Sequence, residues 1–186
     1  MLKEIIIAGF GGQGVLYAGQ VLAATANDLD MNVTWLPTYG PEVRGGTCKV
    51  MVAVDPNEQI KCQMVVKCDI LVAMNKPSFI KYLPCLRSGG TVIINRDLVD
   101  CPVDRKDIKV VEINSDSIAE EIGNPKTSNM VALGALLAGT EIFRLEDVLE
   151  SYKRMLPPEK QKFIPVNVTA VTRGYEFVSK QGGSHD

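Results

Sequence analysis

Hydrophobic residues fall into short runs of two kinds, and their alternation along the chain predicts strands interleaved with helices. Residues 4–8 form an Ile-rich run ended by glycine, which reads as a buried strand. An Ala- and Leu-rich stretch with helical spacing follows to about residue 27, and residues 32–36 and 49–55 read as the second and third strands. Asp55-Pro-Asn57 makes a turn after the third strand, and residues 61–66 are expected to pair back against it as an antiparallel hairpin. Residues 69–74 are a strongly apolar buried strand. Pro77 opens a short helix to about residue 86, Gly89-Gly90 reads as a turn, and residues 91–94 as a further strand. Residues 109–113 complete the strands. Helices are expected at 115–121, at 128–139 with Ser128 as its cap, at 145–154, and at 167–180 beyond the Pro157-Pro158 break. In the last helix Ala170, Val171, Tyr175 and Val178 share one side.

This order predicts an α/β chain: a mostly parallel sheet with helices on both faces and an added antiparallel hairpin. Residues 1–186 read as a single domain with a C-terminal helical part at about 128–180, because no repeat and no linker divides them.

Composition removes several classes of function. The chain of 186 residues is 46% hydrophobic and 23% charged, an ordinary globular balance. Its net charge of −2 supplies no basic footprint, and 6% aromatics supply no base-stacking surface, so nucleic acid is not an expected partner. The longest apolar-rich run, residues 130–139, is too short to span a bilayer, so no membrane partner is expected. Met1-Leu2-Lys3-Glu4 leads directly into a strand without the features of a signal peptide, which points to the cytoplasm. The five cysteines, Cys48, Cys62, Cys68, Cys85 and Cys101, include no Cys-x-x-Cys pair. They read as small apolar residues in a reducing compartment rather than as cluster or zinc ligands. The single histidine, His185, lies in the terminal tail. No nucleophile–base pair, paired carboxylates or metal cluster can be assembled, so the chain reads as one that performs no chemistry by itself.

Two glycine-rich segments carry the candidate chemistry. Gly9-x-Gly11-x-x-Gly14 stands directly after the first strand and opens the first helix. Glycines there let the backbone approach an anion, and a helix N-terminus presents free N–H groups with partial positive charge. The same glycines would also let the helix pack close to the strand. Gly9, Gly11, Gly12, Gln13 and Gly14 are the candidate contacts. Val15-Leu16 stand where a Walker A loop needs Lys and Ser or Thr, and the second strand runs into Trp35-Leu36-Pro37-Thr38 without the acid that would hold a dinucleotide ribose. Tyr39, Glu42, Arg44, Gly45 and Gly46 form the second segment, following the second strand and therefore facing the same edge of the sheet. Arg44 between flexible residues suits a carboxylate or phosphate, and the alternatives are contact with a partner subunit or a plain surface loop. Asn129 reads as a hydrogen-bonding partner of a buried loop, and Tyr152, Lys153 and Arg154 as a solvated helix face.

Five segments together resemble a known family. They are Gly-Phe-Gly-Gly-Gln-Gly-Val-Leu at 9–16, Tyr-Gly-Pro-Glu-Val-Arg-Gly-Gly at 39–46, Asp-Ile-Leu-Val-Ala at 69–73, Gly-Gly-Thr-Val-Ile-Ile-Asn at 89–95 and Pro-Lys-Thr-Ser-Asn-Met-Val-Ala-Leu-Gly-Ala at 125–135. The chain resembles, over residues 3–180, the gamma subunit of 2-oxoacid:ferredoxin oxidoreductases, most of all the 2-oxoglutarate type; pyruvate, branched-chain 2-oxoacid and indolepyruvate enzymes carry similar subunits. The resemblance implies a Rossmann-like fold and a place in a multi-subunit enzyme that decarboxylates a 2-oxoacid oxidatively, with coenzyme A as acyl acceptor and ferredoxin as electron acceptor. It implies thiamine diphosphate on alpha and beta subunits, iron–sulfur clusters on the beta subunit and on a delta subunit where one exists, and no cofactor held by this chain alone. The isolated chain would be inactive, and a homodimer of it is an open alternative. A stand-alone Rossmann-type nucleotide-binding module or oxidoreductase is the competing reading.

Overall fold

The computed structural model describes residues 1–39 and 47–182. The strands are β1 (Lys3–Phe10), β2 (Asn32–Tyr39), β3 (Thr47–Asp55), β4 (Cys68–Ala73), β5 (Leu86–Asn95) and β6 (Lys109–Ile113). The helices are α1 (Val15–Asp28), α2 (Lys76–Tyr82), α3 (Ser115–Glu121), α4 (Ser128–Thr140), α5 (Leu145–Met155) and α6 (Ile164–Gly182). All strands join one six-stranded sheet in the order β2-β3-β1-β4-β5-β6. The pairs β1–β4, β4–β5 and β5–β6 are parallel, whereas β3 runs antiparallel to both β1 and β2. The mostly parallel, Rossmann-like α/β architecture is therefore present, with the antiparallel strand inserted between β1 and β2.

That insertion corrects one expectation. Residues 61–66 form no strand, because both edges of β3 are already taken, by β1 on one side and β2 on the other. In that segment Val65 is buried under the sheet while Met64 and Val66 are exposed. Gly89 and Gly90 are likewise not a free turn. They lie inside β5, where its register against β4 shifts between Cys68 and Ile70.

Strand alternation sends side chains to two cores of unequal thickness. Ile5, Ile7, Val52 and Val72 point towards α1, α3, α4, α5 and α6. Ile6, Ala8, Leu71 and Ile94 point towards α2, through Phe79 and Tyr82, and towards the segments carrying Val65 and Val99. Every residue of α4 except Ala138 and Thr140 is buried, so its apolar character on all sides reflects a helix sealed within the thicker layer. Ser128 is the first helical residue rather than the cap. Its hydroxyl lies 3.0 Å from that of Ser115, and Thr127 caps the helix without a side-chain bond.

The short helix α3 takes its cap from a distant residue. Asp97 accepts the N–H groups of Asp116 at 2.8 Å and Ser117 at 2.9 Å, together with the Ser117 hydroxyl and the Asn114 amide. Burial pulls the Asp97 carboxyl upward, but these hydrogen bonds outweigh it and hold its pKa below the ordinary carboxylate value. A depressed folded pKa means stabilisation that is complete above the unfolded value of about 4 and is lost as pH falls through the folded one. Asp97→Ala should therefore cost about 1–2 kcal/mol at neutral pH and progressively less as pH falls below about 4 towards the folded value. Urea unfolding of both proteins across that range tests this, and equal losses at the two ends would remove the carboxylate from the account.

Candidate functional site

Helix α1 follows β1 on one face of the sheet and α2 follows β4 on the other, with β1 and β4 adjacent and parallel. Chains leaving neighbouring strands in opposite directions open a crevice at their carboxyl ends, the usual ligand position of open α/β sheets. The loop Gly9–Gly14 occupies that position.

Its glycines divide into two groups. Gly9 and Gly14 serve packing. A Cβ on Gly9 would stand 2.7 Å from Gln13 Oε1 and 2.8 Å from Val15, and Gly14, at φ +69°, lies against the Asn129 side chain. Gly11 and Gly12 are exposed with open space around them, and Gly12 has φ +99°. The packing reading of the motif thus applies to Gly9 and Gly14, while Gly11 and Gly12 have no packing role within the chain. Gly14 stands before α1 in the left-handed conformation with no side-chain bond to the first turn, so no capping side chain meets the first N–H groups of the helix.

Gln13 is turned inward. Its Oε1 accepts the Phe10 N–H at 2.7 Å and the Asn75 amide at 2.8 Å, and its Nε2 donates to the Met74 carbonyl at 3.4 Å. Asn75 in turn caps α2 by accepting the Ser78 N–H at 2.9 Å. Asn95 also donates to the Met74 carbonyl, at 3.3 Å, and to Asp116 at 2.7 Å. Across the loop, Asn129 donates to the Gly14 carbonyl at 3.0 Å, the bond to a buried loop expected of it. A row of amide side chains thereby fixes the loop to the ends of β4 and β5 and to the start of α4. Of these, Asn75 carried no sequence motif and Asn95 stood only at the end of the segment 89–95; their place at the ends of apolar strands is the signal that would have found their role.

Phe10 pairs with Thr47 and Tyr39 with Cys48, so β1 and β2 end on the same edge, with β3 between them. Tyr39 is 68% exposed there. Glu42, Arg44, Gly45 and Gly46 lie outside the described residues. The interposed strand also weighs against a dinucleotide site, in which the second strand lies beside the first and brings its acid to the ribose. Positive charge flanks this edge: Lys49 and Lys81 stand 5.2 and 5.5 Å from the centre of the Tyr82 ring, and Lys81 donates to the Thr47 hydroxyl at 3.3 Å.

Other groups resolve as packing. Tyr152 is 1% exposed, a correction to its reading as part of a solvated face. It lies at helical spacing from Val148 on the buried side of α5, edge-on to Tyr17, while Lys153 and Arg154 are exposed. Burial pushes the Cys68 thiol up to about 12, so it is a packing residue rather than a reactive one. Among the described residues no three His, Cys, Asp or Glu side chains group to hold a metal, and no helix is long and apolar enough to cross a membrane.

The protein family described as pyruvate ferredoxin/flavodoxin oxidoreductase matches residues 4–177. Subunit KorC of 2-oxoglutarate synthase from Methanothermobacter marburgensis is 35% identical over 185 residues, covering 96% of this chain and 97% of its own length. Subunit VorA of ketoisovalerate oxidoreductase from the same organism is 32% identical over 177 residues, covering 95% of this chain and 37% of its own. The crystal structure of a keto/oxoacid ferredoxin oxidoreductase gamma subunit from Geobacter sulfurreducens PCA superposes with a TM-score of 0.81 at 28% identity, over 96% of this chain and 99% of that one.

Proposed function

The chain belongs to the pyruvate ferredoxin/flavodoxin oxidoreductase family, as a gamma-type subunit of the multi-subunit 2-oxoacid:ferredoxin oxidoreductases, and on that premise we propose that it serves a cytoplasmic 2-oxoglutarate enzyme. In this reading it assembles with alpha, beta and, where present, delta subunits. Thiamine diphosphate and iron–sulfur clusters held by those partners decarboxylate the acid and pass electrons to ferredoxin. The gamma chain supplies no reacting group. Its part is to offer the α1 N-terminus with Gly11 and Gly12, and the segment from Tyr39 through Glu42, Arg44, Gly45 and Gly46, to coenzyme A beside the partner subunits.

The observation that carries this proposal is the open pair Gly11 and Gly12 at the β1–β4 crevice, on a loop held rigid from behind by Gln13, Asn75 and Asn129. Whole-length likeness to a 2-oxoglutarate synthase subunit favours that substrate, with the ketoisovalerate relative close behind in identity.

Reconstitution tests it. The remaining subunits, prepared with and without this chain, would be assayed for coenzyme A-dependent viologen reduction with 2-oxoglutarate, pyruvate and branched-chain 2-oxoacids. Activity that requires the chain and prefers 2-oxoglutarate is the expected result. A chain that neither joins the complex nor changes its rate would end the proposal. In the assembled enzyme Arg44→Ala should raise the KM for coenzyme A about tenfold, the scale of one charge-assisted contact. Failure to assemble, with unchanged constants in any residual complex, would make Arg44 an interface residue instead.

A further inference from the structure

Asn75 lies two residues beyond β4, is 2% exposed, and serves two elements at once. Its Oδ1 accepts the Ser78 N–H at 2.9 Å and caps α2, while its Nδ2 donates to Gln13 Oε1 at 2.8 Å. Backbone donors at both ends fix the sense of this link. The Ser78 N–H requires an oxygen from Asn75, and the Phe10 N–H, at 2.7 Å, requires one from Gln13. The Asn75 amide nitrogen is therefore the donor between the two side chains, and neither amide can be turned round without losing a backbone bond.

The other end of the link sets the course of the glycine loop. Gln13 lies between Gly12, at φ +99°, and Gly14, at φ +69°. Glycines enter either half of backbone space at little cost, so by themselves they leave that course open. The Gln13 N–H closes the loop on the Phe10 carbonyl at 3.1 Å, and Asn129 ties its far end at the Gly14 carbonyl. The Gln13 side chain ties its middle to the chain beyond β4. Gly11 and Gly12 pack against nothing in the chain, so their neighbours aim them.

We propose that Asn75 is a positioning residue for the use of coenzyme A: the hydrogen bond it donates to Gln13 sets where Gly11 and Gly12 stand, and Gln13 is the anchor of the loop rather than a contact of the ligand. This rests on the reading that the loop meets coenzyme A. The two bonds of Asn75 are separable, because Asp caps a helix as well as Asn does but has no hydrogen to donate at neutral pH.

The test uses the assembled enzyme carrying Asn75→Asp, Gln13→Met, the two combined, or Gly11→Val. Asn75→Asp breaks the link and keeps the cap, and Gln13→Met breaks the same link from the other side without adding charge. Each should raise the KM for coenzyme A about tenfold while the KM for the 2-oxoacid stays within about twofold. The double variant should also stand at about tenfold, because both substitutions remove one connection. Loss of folded enzyme lowers kcat per mole of protein without moving one KM, so this split sets positioning apart from a merely structural role. An unchanged KM in Gln13→Met, or a rise of about a hundredfold in the double variant, would overturn the proposal. Gly11→Val distinguishes the two ways of failing. If it lowers turnover while Gln13→Met leaves the KM unchanged, coenzyme A meets the loop without help from Asn75. If Gly11→Val is also without effect, the reading of the loop falls and the proposal falls with it.

Discussion

Gly134→Ala is expected to cost about 3 kcal/mol or more, a large share of the stability of an ordinary domain, and Gly174→Ala the same. Helices α4 and α6 cross with these two glycines facing each other's backbone. A Cβ on Gly134 would stand 2.0 Å from the Val171 carbonyl oxygen, and one on Gly174 would stand 2.0 Å from that of Val131. The obstruction is main chain, which cannot rotate aside as a side chain does, so the helices must separate. Separation disturbs the whole thick layer, because α4 is enclosed nearly throughout its length. The sign is informative, since glycine to alanine inside a helix otherwise gains about 1 kcal/mol. Gly139→Ala provides the contrast: the nearest obstacle is a Val111 methyl at 2.9 Å, and the expected change is within about 1 kcal/mol. Urea denaturation of the three variants decides the matter. If Gly134→Ala unfolds no earlier than Gly139→Ala, the helices do not cross this closely.

Gly11→Val should leave the isolated chain as stable as the wild type and yet lower coenzyme A-dependent turnover of the assembled enzyme about tenfold or more. Nothing lies within 4 Å of a Cβ at Gly11, so an added side chain meets only what comes from outside the chain. Tenfold corresponds to about 1.4 kcal/mol, less than the usual penalty for crowding a close approach. Gly9→Val reverses the pattern, because its Cβ would meet Gln13, Val15 and Met74 and should destabilise the chain before any partner is present. Melting temperature and reconstituted rate, measured on both variants, separate the two roles. Full activity in an assembled Gly11→Val enzyme would mean that nothing approaches the loop at this position.

What the sequence made legible was local. The span of α3 and that of β6 follow from periodicity and flanking residues, and both lie where expected. Residues 61–66 had strand-like composition, but whether they pair depends on a free edge, and the pairing of β3 on both sides is a property of the whole sheet. The glycine motif announced a loop without saying which glycines are packed and which are open, because that depends on neighbours distant in sequence, Met74 and Asn129. Tyr152 was misread from its charged neighbours, although Val148 four positions earlier marks its side of the helix. The crossing at Gly134 and Gly174 has a sequence trace as well: a glycine within a helical pattern weakens the helix and calls for a packing reason.

The strand inserted between β1 and β2 also acts as a ruler. Neighbouring strands are spaced by about 4.8 Å, so the ends of β1 at Phe10 and β2 at Tyr39 stand about 10 Å apart across β3. A lone phosphate or a small oxoacid is too short to touch both ends at once. Whatever bridges them must be an extended molecule with binding groups about a nanometre apart, or a segment of another polypeptide laid across the sheet's edge.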